Sequence, residues 1–403
     1  MLQHRNFTRL LVARFLNVFA TSMLHTVVGW EVYELTGSAF ALGLIGLVQF
    51  LPNVMFFLLT GLAADRLPRH RIVAGCYLVQ ALAGTALYFV LTGPEPSFTM
   101  ILPILFVVGG SRAFSLPTGQ ALLPNLVPVA DFAHAVAWMG SAIEAAVILG
   151  PAVGGLLLTI GTDVALLTII AIYGCASTVA FLIRRDRRGP RRERPTLDTV
   201  LAGIRFIWRR KIILGAISLD LFAVLLGGAI AMLPIYARDI LEVGELGLGL
   251  LRSSIAVGAI ACGIYLARRP LRRHCGRKLL VAVAVFGVAI IVFGISEVFW
   301  ISALALMAAG AADMISVFVR NTLVQLATPD EMRGRVSAVS TMFIGASNEL
   351  GEFESGAVAA LVGVVPSVLI GGVGTVAVAI GWAYLFPDLL RIDRLDRESL
   401  AEY

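Results

Sequence analysis

Long apolar runs alternate with short polar breaks along the whole chain. They predict helices near 9–35, 40–63, 72–92, 98–123, 132–160, 163–183, 212–238, 246–267, 279–296, 298–326, 335–362 and 366–386. A helix that spans a bilayer needs about 20 consecutive apolar residues. Runs of that length, repeated with short breaks, leave too little polar surface to cover a soluble core. Twelve spans fill the 403 residues with short connections between them.

Composition supports this reading and excludes others. Hydrophobic residues make up 58 % and charged residues 14 %, whereas soluble domains are about 25 % charged. A disordered chain, a coiled coil and an ordinary soluble enzyme are excluded. The net charge of +6 comes from arginines at the ends of apolar runs. It therefore concerns topology rather than nucleic-acid binding. One side of the predicted helices collects Arg5, Arg9, Arg66, Arg69, Arg71, the 184–211 stretch, Arg268–Lys278 and the tail arginines. The other collects Glu31, Glu34, Glu95, Asp163, Asp239, Glu242, Glu245 and Glu297, with Arg238 as its main exception. The bias places both termini in the cytoplasm, as an even number of spans requires. The first apolar run is too long for a cleaved signal and is expected to remain as an anchor. Cys76, Cys175, Cys262 and Cys275 lack metal or redox spacing, so neither a disulfide framework nor a metal site is expected.

The chain divides at 184–211. Residues 1–183 form one predicted six-helix bundle, 212–387 a second, and 388–403 a cytoplasmic tail. The linker is basic at first, then amphipathic: Leu197, Val200, Leu201, Ile204, Ile207 and Trp208 recur at helical spacing. Such a helix is expected to lie flat on the inner leaflet, with Arg205, Arg209 and Arg210 among anionic headgroups. The bundles also look like copies. An offset of 201 residues superposes Gly43 on Gly244, Gly46 on Gly247, Arg71 on Arg272, Pro128 on Pro329, Gly150 on Gly351 and Gly155 on Gly356. A constant offset over several segments indicates a duplication. In transporters of that build the solute site lies between the halves, near mid-membrane.

Several motifs resemble those of the major facilitator superfamily. The stretch from Gly61 through Asp65, Arg66, Arg69 and Arg71 is similar to that superfamily's cytoplasmic loop motif, with proline where glycine is usual. Gly150, Pro151, Gly154 and Gly155 in the fifth span resemble the motif of drug:proton antiporters. Trp30–Ser38 and Pro329–Val336 are similar to the bacterial branch that holds the enterobactin exporter and macrolide efflux pumps. The resemblance implies twelve helices in two pseudo-symmetric bundles. It places Asp65 against the start of span 11, near Arg335 and Val336. A carboxylate at a helix N-terminus is stabilised by free N–H groups and the helix dipole, so Asp65 is expected to latch the inner side shut. Proline and glycines in span 5 imply a kinked, closely packed helix.

Charges inside apolar runs are costly and point to function. Arg112, Glu144, Asp220, Asp313, Arg320, Glu349, Glu352 and Glu354 lie in such runs, with His25 and Asn348 as polar companions. Spans 1, 4, 7 and 10 line the cavity in the fold that the chain resembles, and they carry His25, Arg112, Asp220 and Asp313; His25, Arg112 and Asp313, with Asn348 of span 11, are the candidates for a substrate cavity. Arg112 and Asp313 coincide at the 201-residue offset and are expected to pair. Arg320 is expected to snorkel to the inner surface. Glu349, Glu352, Asp220 and Glu144 are candidates for proton or cation coupling. Glu349 and Glu352 share a helix face, and like charges in a buried place favour holding a proton. A break of span 11 around Gly351, with part of it meeting water, is the bland alternative.

These readings converge on a secondary exporter of a small organic molecule, siderophore-like or drug-like, driven by protons across a bacterial inner membrane. A cation exporter using the span 11 carboxylates and a non-transporting sensor or accessory subunit are the alternatives. An enzyme is not expected, because no nucleophile or metal-spaced histidine motif is present, and no phosphate-binding loop supports an ATP-driven pump. The expected partners are the solute, protons and lipid. No cofactor and no nucleic acid are expected, and the chain is expected to act as a monomer.

Overall fold

The computed structural model describes residues 4–56, 59–60, 67–128, 131–183, 197–269, 271 and 273–395. Their regular structure is helical, with no strand among them. The main helices are α1 (Arg5–Thr36), α2 (Ala39–Met55), α3 (Arg69–Leu91), α4 (Phe98–Leu122), α5 (Phe132–Leu158) and α6 (Thr162–Phe181). They continue with α7 (Leu197–Arg209), α8 (Lys211–Leu226), α9 (Gly244–Arg268), α10 (Cys275–Ile295), α11 (Phe299–Ala327), α12 (Asp330–Val362), α13 (Val364–Leu385) and the short α14 (Pro387–Arg391). Ten helical segments among the described residues are long and apolar enough to cross a membrane, with the interrupted stretch Lys211–Ile240 taken as one. The 17-residue α2 is apolar but shorter within the described part. The 33-residue α12 is long enough but carries charged residues along its length.

Packing resolves two compact units. The first contains Met1–Gly37, Ile45–Arg194 and Val243–Ser253. The second contains Ser38–Leu44, Pro195–Glu242 and Ser254–Tyr403. Each unit repeats one arrangement. In the first, α1 packs on α5 and α6, while α3 packs on α4 and α6. In the second, α8 packs on α12 and α13, while α10 packs on α11 and α13. The partners correspond helix for helix, as expected of a duplicated bundle.

Two expectations are corrected. The seventh apolar run is not one helix. It ends as α8 at Leu226 and continues as a 3-10 turn over Ala229–Met232, a single turn over Leu233–Ile235 and a π-turn over Tyr236–Ile240. Gly227 and Gly228 lower helix propensity there, and Pro234 cannot donate an amide hydrogen. Second, α12 passes through Gly351 without a break. Gly351 is a packing glycine: a Cβ there would lie 2.7 Å from the Val224 carbonyl oxygen. Close approach of α8, rather than a bend of α12, is what this glycine permits.

Helix α7 also packs within the second unit. Its Gly203 meets α12 so closely that a Cβ would stand 3.0 Å from the Arg335 carbonyl oxygen. Ile207 joins Val336 and Val339 in the core of the second unit. Leu201 and Trp208 remain exposed, so an apolar edge of α7 is still available to lipid.

Helix ends are closed by side chains and chain ends. Arg69 Nη1 donates to the Ala121 carbonyl oxygen at 2.9 Å, and Arg9 Nη1 donates to that of Leu182 at 2.7 Å. Both satisfy carbonyls left free at a helix C-terminus, where a cation is also favoured by the dipole. At the start of α10, Asp393 Oδ1 accepts from the His274 amide at 2.8 Å, and the Asp393 and Ile392 carbonyls accept from Cys275 and Gly276.

Candidate functional site

Polar side chains collect inside each unit. In the first, α1 brings His25, α2 brings Gln49 and α4 brings Arg112. Arg112 Nη1 lies 3.3 Å from Gln49 Oε1 and 3.5 Å from His25 Nε2. Gln49 is buried, so its amide oxygen needs a donor, and the guanidinium supplies one. Close packing helps set this geometry: a Cβ on the neighbouring Gly109 would lie 3.0 Å from the Gln49 Cα. Nearer the start of α1, Arg14 and Asn17 are buried, and Asn17 Nδ2 donates to Gln80 Oε1. Thr21 and Tyr173 share a hydroxyl hydrogen bond of 2.9 Å. Gln49, Asn17, Gln80 and Arg14 were not among the sequence candidates, although each is a polar residue inside an apolar run.

In the second unit, Arg320 is 2 % exposed and its Nη1 lies 3.1 Å from Asp220 Oδ2. It does not snorkel, which corrects the expectation for this residue. A carboxylate on α8 faces it from inside the bundle, so the charge is met where it lies. The approach is an ion pair without an in-line hydrogen bond: Nε and Nη1 of Arg320 have no hydrogen-bond partner among the described residues. A small cavity is lined by Asp220, Asp313, Ser316, Val283 and Phe286, among others. Asp220 and Arg320 are charged neighbours of Asp313. Arg112 and Asp313 thus each have polar neighbours in their own unit.

The fifth-span motif is a packing surface. Cβ atoms on Gly150 and Gly154 would stand 2.9 Å from the Phe19 carbonyl oxygen and 3.1 Å from the Met23 Cα of α1. One on Gly155 would lie 3.0 Å from the Gly249 Cα. Helix α5 continues through Pro151. In α12, Glu349, Glu352 and Glu354 are half-buried and Asn348 is exposed. Glu354 lies 3.4 Å from the Ser355 hydroxyl. Glu144 is exposed on α5. Gly61, Asp65 and Arg66 lie outside the described residues. Arg69 binds the end of α4 as above, and Arg71 is exposed. No cluster of three or more His, Cys, Asp or Glu placed to hold a metal occurs among the described residues.

Apolar helices in two repeated bundles, each with charged side chains in its interior, define a multi-pass membrane protein of the secondary-transporter type. The chain belongs to the Major Facilitator Superfamily, whose family model matches residues 10–352. It is a transporter and not an enzyme. Over 399 residues it is 24 % identical to macrolide efflux protein A of Streptococcus pyogenes, covering 94 % of this chain and 95 % of that protein. It is 25 % identical over 393 residues to the enterobactin exporter EntS of Citrobacter koseri, covering 96 % and 93 %. The fold is similar to that of the nucleoside transporter NupG, with a TM-score of 0.70 at 14 % identity, covering 94 % of this chain and 99 % of that one.

Proposed function

We propose that this protein exports a small organic molecule across a bacterial inner membrane in exchange for protons, by alternating access. The observation that carries the reading is similarity over nearly the whole chain to a macrolide efflux protein and an enterobactin exporter. Similarity across both bundles transfers the direction of transport better than a single motif does. The solute class is siderophore-like or drug-like, and a macrolide is the first compound to test. On this reading α2 and α12 complete twelve spans, both termini are cytoplasmic and the chain works as a monomer.

His25 and Arg112, with the newly found Gln49, supply polar contacts for the solute. A guanidinium that shares its donors with an amide oxygen can turn to an acceptor on a ligand. Asp313 and Asn348 are retained as candidates for the same role. Coupling is assigned to carboxylates in the spans, for which Asp220, Glu349, Glu352 and Glu144 are candidates. Asp65 is proposed to hold the inward-closed state. Neither the metal-exporter nor the sensor alternative has an observation that favours it.

The test is transport in vesicles holding the purified protein, using labelled erythromycin and a catecholate siderophore, with and without an imposed pH gradient. Uptake of either compound that rises with the gradient supports the reading. Uptake that ignores the gradient removes proton coupling, and no uptake of any such compound removes the solute class.

A further inference from the structure

We propose that Asp313 is the proton-binding carboxylate of the second unit, held beside an Asp220–Arg320 ion pair that sets its charge state. This assignment rests on the proton-coupled reading above. Three observations support it. Asp220 and Arg320 are almost fully buried and 3.1 Å apart. Asp313 lines the same cavity as Asp220 and Ser316. Arg320 keeps Nε and Nη1 without hydrogen-bond partners among the described residues, so its pairing with Asp220 leaves donor capacity unused.

The charge arithmetic explains why this group would take and release a proton. With both carboxylates ionised the cluster carries one net negative charge inside a helical bundle. One proton makes it neutral, which a membrane interior favours. Asp220 is already compensated by Arg320, so the proton goes to Asp313. A hydronium ion in the cavity gives its proton to a carboxylate oxygen of Asp313, forming an O–H bond and leaving water. Release is the reverse step, favoured when the cavity opens to an alkaline side. The cavity has room for about one water molecule. That size suits a proton delivered by water.

Asp220 and Arg320 are the charged neighbours of Asp313 among the described residues. Helix α8 brings Asp220, and α11 itself brings Arg320. Helix α10 lines the cavity with Ala282, Val283 and Phe286, and its Cys275, Arg277 and Lys278 stand in its first turn. Helix α9 meets α11 at Gly258 and Gly263 and carries Cys262 and Tyr265 in that stretch. Helix α12 carries Glu349, Glu352 and Glu354.

The experiment is infrared difference spectroscopy of the purified full-length protein between acid and alkaline pH, joined to erythromycin uptake in vesicles. A protonated-carboxyl band should titrate in the wild type and vanish in Asp313→Asn. Its midpoint should move to lower pH in Asp220→Asn, where Arg320 is left to Asp313 alone. The stimulation of uptake by a pH gradient should be lost in Asp313→Asn and kept in Asp313→Glu. A band and a stimulation that both persist unchanged in Asp313→Asn overturn the assignment. So does a sodium gradient that replaces the pH gradient and loses its effect in the same variant, because the cluster is then a cation site. If Asp313→Asn does not fold, an unmoved midpoint in both Asp313→Glu and Ser316→Ala overturns it equally. Wild-type vesicles that take up erythromycin without regard to pH refute proton coupling in general. The spectroscopic titration still judges the site in that case.

Discussion

Arg320 and Asp220 face each other at 3.1 Å inside the second unit, on helices separated by about a hundred residues of chain. Breaking a buried ion pair by removing one partner leaves an uncompensated charge and typically costs about 3–5 kcal/mol. Asp220→Asn or Arg320→Gln alone should therefore lower the unfolding temperature in detergent strongly. The double change Asp220→Leu with Arg320→Met removes both charges and should recover most of the loss. Single variants as stable as the wild type would show that the pair contributes nothing to the fold.

Gly351 predicts an asymmetry within one helix. Alanine there brings a Cβ to 2.7 Å from the Val224 carbonyl oxygen, whereas at Gly345, also in α12, a Cβ meets nothing within 4 Å. Gly351→Ala should destabilise by about 1–3 kcal/mol, as overpacking does. Gly345→Ala should be neutral or stabilising by up to about 1 kcal/mol from helix propensity. Thermal unfolding of the two variants side by side decides it.

The α1–α5 seam gives a similar contrast. A Cβ on Gly150 would stand 2.6 Å from the Ser22 Cβ and 2.9 Å from the Phe19 carbonyl oxygen. Gly174 on α6 has open space at that position. Gly150→Leu should reduce erythromycin transport per molecule inserted, while Gly174→Ala leaves it unchanged. Equal transport in both variants contradicts a packing role for the fifth-span motif.

Arg112 tests the polar group of the first unit. Lysine keeps the charge but loses the planar fork that reaches Gln49 and His25. Arg112→Lys should lower solute uptake by about tenfold, the equivalent of one hydrogen bond to a charged group. Gln49→Leu should lower it too, by leaving the guanidinium short of an acceptor. Wild-type uptake in both variants would move the solute contacts elsewhere.

Topology is open to chemical labelling. Glu95, Asp163 and Arg273 are exposed in the connections or first turns of their helices. Cysteines at Glu95 and Asp163 should react with an impermeant reagent applied outside the cell, and one at Arg273 should not. The reverse pattern inverts the protein in the membrane and, with it, the expected direction of export.

The sequence by itself determined that this is a helical membrane protein built as a duplicated bundle. Bilayer thickness translates directly into run length, and a constant offset survives duplication even where most residues have changed. The same simplicity explains what was legible of the interior. Charged residues in apolar runs are costly, so Asp220, Asp313, Arg112 and His25 stood out without any coordinates. Polar but uncharged Gln49, Asn17 and Gln80 cost less, and they passed unnoticed until packing joined them to partners. Sequence offset suggested Arg112 for Asp313 because an offset relates equivalent positions of the two bundles. Only the tertiary structure decided that Arg320 lies buried against Asp220 rather than reaching for the surface. It also decided that the chain breaks after Leu226 while α12 runs intact through Gly351. A glycine has the same composition whether it bends a helix or admits a neighbour, and the difference lies in which backbone comes within contact of its missing Cβ.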